Sequence, residues 1–235
     1  MAKSVRNYTR QAAATCAALG LVPAITPLAR MPPSSQAQPA TVEWTASFEG
    51  DSLDTTKLER FTFEGGSGGT FKVENGQLRM RGVGGARSGV RTKQKFSGTR
   101  FIVEASLAKV GPALPDPGQG GLALGTAVLT ILFEDSGRKR VEWILTNEGT
   151  FEAWAVVNGQ AERIDNRKLA TKIPNPTLGI VRRGDEFLFM LNGQMGLQKT
   201  VKNLPNEFWV MLYGFGSSEN NWSSVRVVTV KQTQQ

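Results

Sequence analysis

The sequence contains no histidine. That excludes the Ser-His-Asp and Cys-His nucleophile systems and every imidazole metal site. It has one cysteine, Cys16, which lies within the first forty residues. The remainder therefore has no thiol chemistry and no disulfide, a pattern at home in an exported bacterial protein and less usual in a secreted animal one. No basic run is longer than Arg138-Lys139-Arg140, so the clustered stripe of a nucleic-acid interface is missing. A helix-rich composition is also lacking. With 26 glycines and 12 phenylalanines among 235 residues, the mixture favours short strands joined by turns. The length suits one medium β domain, or two small ones, with a core that needs no metal or disulfide.

What is present begins with a segment unlike the rest. Lys3, Arg6 and Arg10 precede an apolar stretch from Ala12 to Val22, and Ser35-Gln36-Ala37 offers small residues for a peptidase. This predicts a signal peptide over 1–37, cleaved after Ala37, and a domain over 38–235 with its core at about 42–231. The apolar stretch is too short for a comfortable span, and Pro23 and Pro27 interrupt it. No stable membrane span is expected after cleavage. The expected location is secreted, periplasmic or cell-surface, in a bacterium. The first forty residues hold four cations and no acid. Removing those four from the 28 Lys and Arg leaves 24 against 20 Asp and Glu, a mild excess that reads as a solvated surface.

From Val42 onward, apolar-alternating runs follow one another with turns between them. Asn75-Gly76, Asn158-Gly159, Asn192-Gly193 and Arg183-Gly184 punctuate them, and Asn-Gly suits a two-residue hairpin because both residues tolerate positive φ. Without a convincing helical period, the fold class is all-β: an antiparallel sandwich of two sheets. One meander can be read in register. A three-residue loop, Asn147-Glu148-Gly149, pairs Thr146 with Thr150. It places Val141, Trp143, Leu145, Phe151, Ala153 and Ala155 on one apolar face. Glu142, Ile144, Glu152, Trp154 and Val156 take the other. Glu142 then falls opposite Trp154, and the Asn158-Gly159 turn sets Arg163 on its other side. The row Glu142–Trp154–Arg163 is a candidate sugar platform, with the indole covering a pyranose face and the charged groups bonding hydroxyls. The same row also reads as a simple surface cluster. Among Phe208 to Tyr213, Val210 and Leu212 are expected in the core, and Trp209 and Tyr213 on the outer or concave face as an extension of the groove.

The order of several motifs resembles the concanavalin A-like lectin and glucanase superfamily. Phe48-Glu-Gly-Asp-Ser-Leu-Asp-Thr-Thr-Lys-Leu is similar to its opening segment, with Leu58 where Trp is usual. Val73-Glu-Asn-Gly-Gln-Leu-Arg-Met, Ser88 to Phe101, Leu178 to Gly193 and Asn221-Trp-Ser-Ser-Val-Arg-Val resemble later hairpins and the closing strand. The resemblance covers about Val42 to Lys231. It implies a jelly roll of roughly 12 to 15 strands, laminin-G-like, with a concave face that often binds carbohydrate.

The glucanase branch of that superfamily carries carboxylates at alternate positions of one strand, so that two share a face. That pattern is missing here. Glu134-Asp135 and Asp185-Glu186 are neighbours, and Glu104 stands alone. The first expectation is therefore an exported, non-catalytic carbohydrate-binding or cell-surface module. Its ligand-binding residues are Trp154, Glu142, Arg163, Trp209 and Tyr213, its partner a glycan, and nucleic acid is not a partner. One alternative is a polysaccharide-acting glycoside hydrolase using Glu142 and Glu152, diagonal neighbours on adjacent strands. Another is a structural envelope protein. No cofactor is required. The resemblance implies calcium as an option, with Glu49 and Asp51 as the oxygen donors at hand, though no dense Asp/Asn loop accompanies them.

Overall fold

A computed structural model describes residues 41–63, 69–82, 87–113, 125–171, 173–214 and 218–230. The expected signal peptide lies outside these residues, as do most of the proline-rich stretch after Gly111 and of the glycine run at 65–69. The described residues form sixteen strands and no helix. In chain order these are β1 (Thr41–Ser47), β2 (Leu58–Phe63), β3 (Thr70–Glu74), β4 (Gln77–Arg81), β5 (Arg87–Thr92), β6 (Phe96–Ser97), β7 (Arg100–Ala113) and β8 (Thr126–Leu132). They continue with β9 (Arg140–Thr146), β10 (Thr150–Val157), β11 (Gln160–Lys168), β12 (Thr177–Arg183), β13 (Glu186–Leu191), β14 (Gln194–Thr200), β15 (Glu207–Gly214) and β16 (Ser218–Val230). No helix among the described residues is long and apolar enough to cross a membrane.

The strands make two antiparallel sheets. The first runs β14-β13-β12-β7-β16-β4-β3, with β1 also paired to β16. The second runs β11-β10-β9-β8-β15-β5-β2, with β6 paired to β15. Tight turns set the local registers. Asn75-Gly76, Asn158-Gly159 and Asn192-Gly193 have positive φ at both positions, the backbone that twists a hairpin correctly. At the fourth expected turn, Arg183 stays in β12 and Gly184, at φ +66°, turns the chain.

The core lies between the sheets and is held by aromatic contacts across them. Phe101 of β7 meets Phe208 of β15 with ring centroids 4.1 Å apart. Trp143 of β9 packs on Phe189 of β13 at 5.5 Å, and its Nε1 donates to the Met190 carbonyl at 2.8 Å. This indole is completely buried and its one polar group is satisfied, as a buried donor requires. Val210 and Leu212 face the same core.

Candidate active site

The β9–β10 turn decides which residues leave the core. Gly149 has φ +79°, its N–H donates to the Thr146 carbonyl at 3.0 Å, and the Thr150 N–H donates to Thr146 Oγ1 at 3.1 Å. Pairing then proceeds Phe151 with Leu145, Glu152 with Ile144, Ala153 with Trp143 and Trp154 with Glu142. Arg163 of β11 lies on the far side of Trp154, past a bulge at Ala153/Trp154. Followed across the second sheet, the row is Arg163, Trp154, Glu142, Thr130, Met211, Arg91 and Glu59. All are on the face turned away from the core, because side chains directly opposite one another share a face.

That outer face is not a bare surface. Phe63, Val128, Leu132, Ile144, Trp209, Met211 and Tyr213 form a second buried apolar cluster there, with Phe61 and Trp154 packed against it. Glu142 is only 3% exposed. Its Oε1 accepts from Arg140 Nε at 2.8 Å and from the Tyr213 hydroxyl. Arg140, two residues back along β9, is on the same face. It also donates to the Gly137 carbonyl at 2.6 Å and lies 5.0 Å from the Phe63 ring centre. Burial, and secondarily the Glu142 carboxylate, pushes the Tyr213 phenol well up from its ordinary value. Tyr213 is thus a fixed donor at neutral pH.

Glu152 is half-buried and accepts from Trp154 Nε1 at 3.0 Å. The indole therefore stands beside both carboxylates: it is opposite Glu142 and bonded to Glu152. Glu142 and Glu152 are diagonal neighbours, whose Cβ atoms are typically about 7–8 Å apart. Arg163 is exposed and sits at the rim. At the other end of the row, the Arg91 guanidinium lies 3.7 Å from the Phe61 ring centre and 4.7 Å from that of Trp209. It pairs with Glu59 at 2.7 Å and with Asp135 of the β8–β9 loop. Through Asp135 and Gly137 that loop folds back onto the outer face.

Trp209 and Tyr213, expected to extend a groove, lie on the outer face but within its buried cluster. Trp209 is buried beneath Arg91 and Lys95, with the Lys95 ammonium 4.3 Å from its ring centre. Tyr213 is fully buried against Phe63, ring centres 5.9 Å apart. Neither offers surface to a ligand in this structure. Glu142 does not pair with Arg163; its cation is Arg140. The missed partner had a signal, since Arg140 and Glu142 occupy alternate positions of one strand. Glu49 and Asp51 are exposed after β1. Among the described residues there is no group of three or more His, Cys, Asp or Glu that could hold a metal ion.

No strand of the second sheet brings two carboxylates to its outer face at alternate positions. The central strand β8 turns Val128, Thr130 and Leu132 outward. The Thr130 hydroxyl is buried without a hydrogen-bond partner, directly opposite Glu142.

No family model and no curated protein matches the chain. Solved structures do. An endo-β-1,3-glucanase from Pyrococcus furiosus is 16% identical, with TM-score 0.61 over 81% of this chain and 94% of that one. The catalytic domain of an endo-1,3-β-glucanase (laminarinase) from Thermotoga petrophila is 12% identical, at 0.55 over 83% and 98%. A porphyranase from Zobellia galactanivorans is 13% identical, at 0.55 over 86% and 98%. The fold is therefore the concanavalin A-like jelly roll. The similar structures correct one expectation. The sequence points first to a non-catalytic binding module and second to a hydrolase, yet these structures are mostly polysaccharide hydrolases.

Proposed function

We propose that the chain is a polysaccharide hydrolase working on the outer face of its second sheet. The observation that carries the reading is the placement of Glu142 and Glu152 on adjacent strands, with the Trp154 indole beside both. Hydrolysis of a glycosidic bond needs two carboxyl groups flanking the bond and a surface that seats the sugar. Glu142 accepts from the Arg140 guanidinium and the Tyr213 hydroxyl. It acts as base or nucleophile. Among the described residues Glu152 has no ion pair, and it accepts the Trp154 indole N–H. It delivers the proton to the leaving oxygen. Because Glu142 is covered, substrate entry must displace what packs above it. The β8–β9 loop is tied to this face through Asp135 to Arg91 and through Gly137 to Arg140, the cation bonded to Glu142.

The substrate class follows from the proteins of like fold, whose names specify β-1,3-glucan, β-1,3-1,4-glucan and porphyran. Export, expected from residues 1–37, suits a polymer that a cell meets outside itself. The test is reducing-sugar release by the full chain from those three polysaccharides. Release from at least one is expected. Release from none, at enzyme concentrations and times that reveal slow hydrolases, overturns the proposal.

A further inference from the structure

The outer face of the first sheet carries a second feature, remote from the carboxylates. Arg100 of β7 and Arg183 of β12 are directly opposite each other across the strand pair. Both are exposed. Glu186, beyond Arg183, gives the row one carboxylate against two guanidiniums, so a bound anion would lower the repulsion between the arginines. Among the described residues neither guanidinium has an ion pair or hydrogen bond. The nearest acid by register, Glu186 opposite Arg183, is engaged by Gln198 Nε2 at 2.5 Å. Asp185, in the adjoining turn, is exposed. Arg182 adds a third cation at the same end. It is buried and bonded to the carbonyls of Gly184, Leu204 and Pro205, not to a carboxylate.

Beside this pair the surface is apolar and dished. Ile102, Val181, Val228 and Val230 line, with the arginines, a depression of about 380 Å³. Ile102 is 39% exposed, unusual for isoleucine in a sheet. By contrast, the neighbouring cation on this face, Arg226, is neutralised by Glu43 at 2.7 Å and Glu104 at 3.1 Å. Two forked donors at one end of a shallow aliphatic floor form a site for a discrete molecule bearing an oxyanion. A guanidinium pair fits sulfate or carboxylate in bidentate fashion, and the floor takes the C–H face of a sugar ring. A concave site of this size does not suit a planar bilayer.

We propose that Arg100 and Arg183 form an accessory binding site for an acidic polysaccharide, gripping one sulfate-ester or uronate group while the sugar lies on Ile102, Val181 and Val228. This extends the hydrolase reading by naming an acidic polymer as partner. It is read by binding and stands or falls separately from catalysis.

The experiment is calorimetric titration of the full chain with four probes of matched length where applicable: a sulfated oligosaccharide, a uronate oligosaccharide, a neutral glucan oligosaccharide and inorganic sulfate. Either acidic oligosaccharide should bind, more weakly as salt rises, and the neutral one should not bind at this site. Arg100→Ala/Arg183→Ala should lower that affinity at least tenfold without lowering the melting temperature. The charge-matched control Lys93→Ala/Lys202→Ala should not. Inorganic sulfate binding as tightly as the oligosaccharides would show a free-anion site and overturn the polysaccharide assignment. So would equal binding by wild type and the arginine variant, loss of binding in Trp154→Ala but not in the arginine variant, or capture by anionic vesicles alone. Hydrolysis of a neutral substrate by the arginine variant should match wild type, so a catalytically silent chain leaves the binding result readable.

Discussion

Replacing the two tryptophans of the β9–β10 hairpin one at a time tests the register on which the site depends. Trp143 is completely buried, packs on Phe151 and Phe189 at 4.9 and 5.5 Å between ring centres, and bonds the Met190 carbonyl of the facing sheet. Trp143→Ala empties a large core volume that its neighbours can only partly fill, at a cost of about 3–5 kcal/mol. Trp154 is half-buried on the opposite face, and its truncation should cost under about 2 kcal/mol. For a domain of this size each kcal/mol shifts the melting temperature by about 2–4 °C. Trp143→Ala should therefore lower it by roughly 6–20 °C, and Trp154→Ala by under about 8 °C. Near-ultraviolet circular dichroism during heating reads both, because it reports the packing of aromatic rings. A larger drop for Trp154→Ala would mean that the hairpin is shifted by one residue, and Glu142 and Glu152 would then face the core.

Three further expectations follow from particular contacts. The chain has two tyrosines, and burial raises the Tyr213 phenol. Its neutral form is favoured by folding, so the associated stability is present below about pH 10, the ordinary tyrosine value, and is lost as pH rises beyond it. A phenolate titration should show Tyr213 ionising only on unfolding; ionisation of Tyr213 in the folded protein near the ordinary tyrosine value would refute the burial. A side chain at Gly89 would run into the Leu212 backbone carbonyl, so Gly89→Ala should cost about 1–3 kcal/mol or more in a urea melt. At Gly137, φ is +73° and a Cβ would overlap the Phe63 ring. Gly137→Ala should loosen the β8–β9 loop, raising hydrogen exchange at its amides more than in β9.

Much of this architecture is legible in the sequence where turn residues and alternating polar positions fix the register. The three-residue loop at Asn147-Glu148-Gly149 forces one pairing of Trp143 and Trp154, since the two-residue alternative mixes Glu142 or Glu152 into an apolar face. Edge strands were harder. β11 is exposed along nearly its whole length, so its sequence shows no alternation, and β14 is little better. The covering of Trp209 and Tyr213 is hidden in the sequence for a different reason. β8 is buried at every position and β15 at nearly every one, and strands buried on both faces read as continuous apolar runs. Ala127 to Leu132 and Phe208 to Tyr213 are such runs. The Arg140–Glu142–Tyr213 group joins β9 to a strand two places away, and that adjacency is set by sheet order, which local spacing does not encode.

Joint action of Glu142 and Glu152 on a polysaccharide is read by end-group release by the full chain, set beside Glu142→Gln and Glu152→Gln, with each variant's fold checked by circular dichroism. Both substitutions keep shape and remove the carboxylate. Proton transfer by a placed carboxyl contributes about 10²–10⁴-fold, so each folded variant should lose at least about a hundredfold of the wild-type rate. Folded variants that release sugar at the wild-type rate would contradict the account.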